Sequence, residues 1–287
     1  MPGLQILNDR LDKITRIKLL PYYTASFGFG TAFSFFTIGI IYSLFDWKIA
    51  FIIGAISSLF SSILITIFVK PKKKSLNLKK NNLRHPLDFS PALKNKPASK
   101  YILAYGAHTY ELFAYRSWLF AFLVFMVLFH NQQIAATTLS FLISFFAFIG
   151  TFASIIGAKY CLTFGRSKMI MYYGLFTFIV ALFTSFSAYI NLWLVFIFIG
   201  IYNFAIHLDS ASLTAGTVEK SKESERGALL AIHSIIGFSG GALGGPLIGL
   251  TLDIFGGQQN VHAWAIAFCI MGIGSLFVFL IMLKSKF

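Results

Sequence analysis

Residues 47–60, WKIAFIIGAISSLF, and residues 264–277, WAIAFCIMGIGSLF, agree at nine of fourteen positions without a gap, both opening on tryptophan and closing on Ser-Leu-Phe. The glycine-rich apolar stretch GFGTAFSFFTIG precedes the first copy and GFSGGALGGPLIG precedes the second. A helix pair has therefore been used twice. Neither copy contains an acid, and apolar runs of about 20 residues are long enough to cross a hydrocarbon core about 30 Å thick. Inside hydrocarbon the backbone can bond only to its own helix or to a closed barrel, and the strict alternation of barrel strands is absent.

A window of about 20 residues finds eight apolar segments, the two copies among them, at 21–44, 49–69, 101–129, 136–158, 169–190, 192–213, 228–253 and 263–283. The expected fold class is all-α, a polytopic membrane bundle of eight transmembrane helices in a 2 + 6 arrangement. Composition excludes a soluble enzyme: of 287 residues 57% are hydrophobic and 12% charged, where soluble domains carry about 25% charge. Cys161 and Cys269 lie within or beside apolar runs and are too few for a disulfide framework or a four-ligand zinc site. His85, His130 and His262 have no metal-ligand spacing around them, so neither metal nor cofactor is expected.

The net charge of +14 would suggest nucleic acid in a soluble chain, but no such partner is expected once the charges are placed on the spans. With the start in the cytoplasm, 22 of the 24 basic residues fall on the inner side, and the exceptions are Lys48 outside and Arg116 within a span. This bias predicts a multi-pass protein of the plasma membrane with both termini cytoplasmic. Charges at positions 9, 10, 12, 13, 16 and 18 leave no room there for the apolar core of a secretory signal. The basic, proline-containing stretch 70–100 reads as a cytoplasmic linker facing anionic lipid. It divides the chain into residues 1–69 with two helices and 101–287 with six.

Both copies of the repeat run from outside to inside, so the repeat is parallel, about an axis along the membrane normal. Together with the basic central linker and the segment GAKYCLTFGRSK, residues 157–168, this resembles the major facilitator superfamily. That family carries a pattern close to G-G-K-L-A-D-R-F-G-R-R between the second and third helices of each half. This chain keeps Gly157, Lys159, Gly165, Arg166 and Lys168, with Leu162 where the family's acid stands. The resemblance implies a cytoplasmic gating loop at Gly157, Lys159, Gly165 and Arg166. It also implies a partial fold from which the first four transmembrane helices are missing: residues 1–69 are expected to be the remnant of an N-terminal half, and 101–287 the complete C-terminal half.

Ionisable groups within spans cost roughly 2.5–3.5 kcal/mol on insertion scales and so point toward function. In the third span Tyr105, His108, Glu111, Tyr115, Arg116 and Trp118 fall within a helical arc of about 160°. Glu111 lies about 16 Å and Arg116 about 24 Å from the inner boundary. In a transporter of the resembling family this helix lines the central cavity. Arg116 is the candidate fork for an anionic solute, and Glu111 or His108 the candidate proton carrier. In the sixth span Asn203, His207 and Asp209 are further candidates, with Asp209 expected near the hydrated cytoplasmic end. His233 is expected to snorkel toward water. Gly237, Gly241, Gly245 and Pro246 are expected to serve helix packing and flexing. Ser26, Gly30 and Ser34 form a similar stripe in the first span.

The expected function is secondary active transport of a small solute by alternating access, since no nucleotide-binding motif occurs. Partners are the lipid bilayer, a small-molecule substrate and candidate protons. The alternative is a transport-incompetent truncated fragment, or one piece of a split transporter whose missing helices come from a separate chain. A remote alternative, an intramembrane serine protease, rests on Gly237-Phe238-Ser239-Gly240 and His262; otherwise no enzyme chemistry is expected.

Overall fold

Long apolar stretches broken by Asn, Gly and Asp become helices whose ends those residues set. The computed structural model of the chain describes residues 6–7, 10–69, 90, 94–222 and 225–284. Among them are nine helices of eleven or more residues: α1 (Lys13–Leu44), α2 (Trp47–Phe68), α3 (Lys96–Phe129), α4 (Ala136–Phe164), α5 (Arg166–Ser187), α6 (Leu192–His207), α7 (Ser210–Lys220), α8 (Arg226–Ile254) and α9 (Val261–Leu283). Among the described residues eight stretches are long and apolar enough to cross a membrane, with α6 and α7 together forming one of them, Leu192–Lys220. Most of the basic stretch 70–100, including His85, and Lys286 at the chain end lie outside the described residues.

Local chemistry explains the ends. The Asn95 side chain accepts from the Ala98 N–H at 3.1 Å, and Pro97 sits in the first turn of α3, where its missing N–H is harmless. Asn191 caps α6 through the Leu194 N–H at 2.9 Å. Gly165 alone separates α4 from α5, with φ +95°, a conformation that strains any residue with a Cβ.

The sixth span, Leu192–Lys220, is helical and of membrane length as expected, with an interruption that the sequence did not announce. Its ladder breaks at Leu208–Asp209, where the Leu208 N–H turns back to the Ala205 carbonyl at 3.1 Å, the i to i−3 bond of a tightened turn. Gly157 of α4 lies directly against the Leu208 carbonyl, in space that a Cβ would occupy.

α3 and α8 pack most extensively, followed by α5 with α9 and α1 with α4. The core between them is aromatic: Tyr115, Phe122, Tyr202, Trp264 and Phe268 are all fully buried. The two repeat copies differ sharply in burial. Trp264 is 0% exposed and Trp47 is 57% exposed. α9 is flanked by α3 and α5, whereas α2 contacts α1 and has no buried residue.

Six of the seven glycines of α8 abut α3, Gly227 having open space: Gly237 meets the Tyr105 ring, Gly240 the Gly106 carbonyl, Gly241 the Phe113 ring, Gly244 the Tyr110 carbonyl and Ala114 backbone, Gly245 the Ser117 hydroxyl and Gly249 the Trp118 ring. Pro246 lies within α8 without ending it. In α1 the expected stripe is displaced. Ser26 and Ser34 are exposed and Gly30 has open space around it. Ala25, Gly28, Ala32 and Gly39 are instead the small residues buried among those described, with Gly28 on Thr151, Gly39 on Ser140, and the Ser144 hydroxyl bonded to the Ala32 carbonyl at 2.7 Å.

Candidate functional site

Three polar clusters lie inside the bundle, and α3 contributes to each. The first is at the seam with α1. The Arg116 Nη2 lies 3.1 Å from His207 Nε2, and Phe27 of α1 covers the guanidinium, with its ring centre 5.1 Å from Cζ. His207 Nδ1 sits 2.7 Å from the Asn203 carbonyl, which can only accept, so Nδ1 carries the proton and Nε2 turns its lone pair to Arg116. His207 is thereby held as a neutral acceptor. Asn203 in turn donates to the Phe146 carbonyl. Gly150 makes room, since a Cβ there would come within 2.7 Å of His207 Nδ1 and 2.9 Å of Asn203 Nδ2.

Arg116 pairs with no carboxylate among the described residues. A cation in a medium of low dielectric needs a counter-charge or strong hydrogen bonds, and here it has a neutral imidazole and a ring face. Beside it is a cavity of about 20 Å³ lined by residues of α1, α3, α4, α6 and α7, among them Phe27, Thr151, Ser154 and Ser210. That is room for about one water molecule.

The second cluster surrounds Glu111, which is 2% exposed. The Tyr202 hydroxyl donates to Oε1 at 2.6 Å and the Ser275 hydroxyl donates to Oε2. Glu111 thus faces α6 and α9 inside the six-helix unit, away from the seam that holds Arg116. This departs from the sequence reading, which placed the two on one cavity-lining face.

The third cluster joins His108 to Asp209 at the α6–α7 break, with Nδ1 to Oδ1 at 2.9 Å. Asp209 is 5% exposed, so it is not the hydrated surface group expected from its position. His108 Nε2 is buried without a hydrogen-bond partner among the described residues. Tyr105 stacks on His233 at 3.9 Å between ring centres. His233 is fully buried and does not snorkel; its nitrogens meet the hydroxyls of Thr214 and Thr217 at 3.2 and 3.1 Å.

Of the loop residues, Arg166 pairs with Glu219 of α7 at 3.2 Å, Gly157 supports the α6–α7 break, and Lys159 is exposed. Ser239 is exposed, well inside α8, whereas His262 begins α9 and bonds to the Tyr189 hydroxyl at 2.9 Å. Fifteen residues of helix from Ser239 to Ile254 span about 22 Å, so a serine–histidine dyad is not assembled. The described residues contain no group of three or more His, Cys, Asp or Glu able to hold a metal.

Sequence reasoning missed Phe27, Thr151, Ser154, Tyr202, Ser210 and Ser275. Thr151 and Ser154, three apart in an apolar helix, share one face, and that spacing was the available signal. Phe27 carried none, because its role depends on which helix α1 packs against.

The family model described as Major Facilitator Superfamily matches residues 109–286, more than half of the chain. Comparison with curated proteins gives no match.

Proposed function

The chain belongs to the major facilitator superfamily, whose members are membrane transporters of small molecules, and from that premise we propose that it is a secondary active transporter of a small anion. The observation carrying this reading is Arg116, a membrane-embedded guanidinium at the seam between α1 and the six-helix unit, paired with neutral His207 and, among the described residues, with no carboxylate. An anion supplies the missing charge, and the hydroxyls of Thr151, Ser154 and Ser210 supply further donors around the same cavity. The cavity is too small for an organic solute, so α1 must move away from α4 for one to enter. Such rocking of one part against the other about a fixed site is alternating access.

The remaining elements follow from this reading. Residues 1–69 and 101–287 are the two moving parts and 70–100 the linker. Both termini are cytoplasmic in the plasma membrane, with Gly157, Lys159, Gly165 and Arg166 at the cytoplasmic gate. A proton accompanies the solute on Glu111 or His108. A second reading, one piece of a split transporter, is favoured by α2, which has no buried residue; a separate chain would supply the helices that cover it.

The test is counterflow of labelled small carboxylates in proteoliposomes. Wild type is expected to exchange at least one, Arg116→Ala none, and Arg116→Lys to retain a fraction, because a lysine keeps the charge without the fork. Undiminished exchange in Arg116→Ala would remove the assignment.

A further inference from the structure

We propose that the cleft between the start of α5 and the ends of α7 and α9 binds a phosphate ester, the chemistry shared by an anionic lipid headgroup and a free phosphate. The cleft has a volume of about 480 Å³ and is lined by Arg166, Ser167, Lys168, Glu219 and Lys220, with an apolar wall that includes Met171 and Met282. It is separate from the Arg116 site and does not depend on the proposed transport.

Three cations face a single carboxylate in this cleft, and the geometry commits that carboxylate. Glu219 Oε2 takes Arg166 Nε at 3.2 Å and its Oε1 lies 3.8 Å from Lys220 Nζ. Arg166 also reaches the Ser212 carbonyl at 3.5 Å, so its guanidinium is fixed before any ligand arrives. Lys168 has no carboxylate beside it among the described residues. The local charge is net positive, and Lys100, which donates to the Lys284 carbonyl at 3.5 Å, adds to it from the adjoining helix ends.

The chemistry favours phosphate over a planar carboxylate. Arg166, Ser167 and Lys168 are the first turn of α5, and Gly165 before them offers no side chain to cap their N–H groups. Cations on two helices and a helix N-terminus converge from different directions, which suits a tetrahedral anion with several oxygens. Ser167 and Tyr101, bonded to each other at 2.8 Å, retain further hydrogen-bonding capacity at the rim. The apolar wall fits the substituent of an ester.

The experiment uses the purified full chain in neutral detergent, with dioleoylphosphatidylglycerol and dioleoylphosphatidylcholine offered at equal concentration, and retained lipid read by native mass spectrometry. Wild type is expected to retain the phosphatidylglycerol preferentially. Lys168→Gln and Lys220→Gln should each reduce that preference about fivefold, whereas Lys48→Gln, at the opposite end of the bundle, should leave it unchanged. Both lysines are exposed, and an unaltered melting temperature verifies the fold; Lys168→Glu, which reverses the charge, should lower retention further. Millimolar inorganic phosphate that displaces the lipid shows that the phosphate group suffices; phosphate without effect shows that the lipid's glycerol and acyl parts are required. Equal retention of both lipids by wild type overturns the proposal. A preference that survives Lys168→Gln and Lys220→Gln combined in one chain overturns it too, since the preference would then reside in basic residues elsewhere.

Discussion

The chemistry of single residues in this chain is decided by what each polar atom meets after leaving water. Glu111 is held by two hydroxyls, from Tyr202 and Ser275. Glu111→Ala leaves both donors buried without an acceptor, at about 1–3 kcal/mol each, and is expected to lower the unfolding temperature in detergent clearly. Glu111→Gln keeps an acceptor for Tyr202 and should fall between Ala and wild type; equal melting of all three would mean that the carboxylate is idle in the fold. Gly157 makes a second residue-scale prediction. Its Cβ space is taken by the Leu208 carbonyl, a backbone atom that cannot rotate away. Gly157→Ala should therefore destabilise by about 1–3 kcal/mol, whereas Gly54→Ala, with nothing within 4 Å, should be near neutral in the same thermal assay. The polar residues of α3 were legible in the sequence, but the sequence reading kept them on one face, and their dispersal is a finding of the structure. Glu111 and Arg116 stand about 140° apart on the helical wheel at 100° per residue, too far to share one narrow seam. Which neighbour each would meet depended on helix packing and could not be read.

At the scale of elements, the number and type of helices could be read because hydrocarbon permits so few alternatives to a long apolar helix. The break between α6 and α7 could not. Leu208 and Asp209 both keep right-handed helical dihedrals, and the sequence there has neither Gly nor Pro to announce it. The contact of α8 with α3 was signalled by small residues alone, and it makes a prediction about the pair. Gly244 lies against the Tyr110 carbonyl and the Ala114 backbone, so a larger side chain must push the two axes apart. Gly244→Leu is expected to lower the yield of folded, monodisperse protein on size exclusion and to reduce its melting temperature. Ala242→Leu, at an exposed position of the same helix, adds three of the same four side-chain carbons toward lipid and should leave both unchanged. Equal damage from the two would mean that helix insertion, and not packing, is what the glycines serve. The stripe in α1 shows the limit of such patterns: Ser26, Gly30 and Ser34 have the right spacing, yet among the described residues Ala25, Gly28, Ala32 and Gly39 are the small ones that are buried. Small residues mark a permissible face, and the partner helix selects among the faces offered.

For the whole molecule, the distribution of charge is a stronger constraint than any one contact. The starts of α3, α5 and α8 and the ends of α4, α7 and α9 carry Lys96, Arg166, Arg226, Lys159, Lys220 and Lys284, and antiparallel succession puts all these ends on one side of the bundle. Lys48, at the start of α2, lies on the other. Placing a lysine or arginine at the centre of the hydrocarbon costs roughly 2.5–3.5 kcal/mol, and the insertion machinery retains basic loops in the cytoplasm. Inverting the chain would require 22 basic residues to cross in place of one. The expected topology therefore has Lys48 outside and Lys222 inside. Single cysteines at these positions, Lys48→Cys and Lys222→Cys, in a background with Cys161→Ser and Cys269→Ser, test it on intact cells with a membrane-impermeant maleimide. Lys48→Cys should label at once, and Lys222→Cys only after permeabilisation. The opposite pattern would put the Arg166 cleft and the basic ends outside the cell, and would require the charge bias to have been overridden by α1 and α2, the two helices with least burial against the rest.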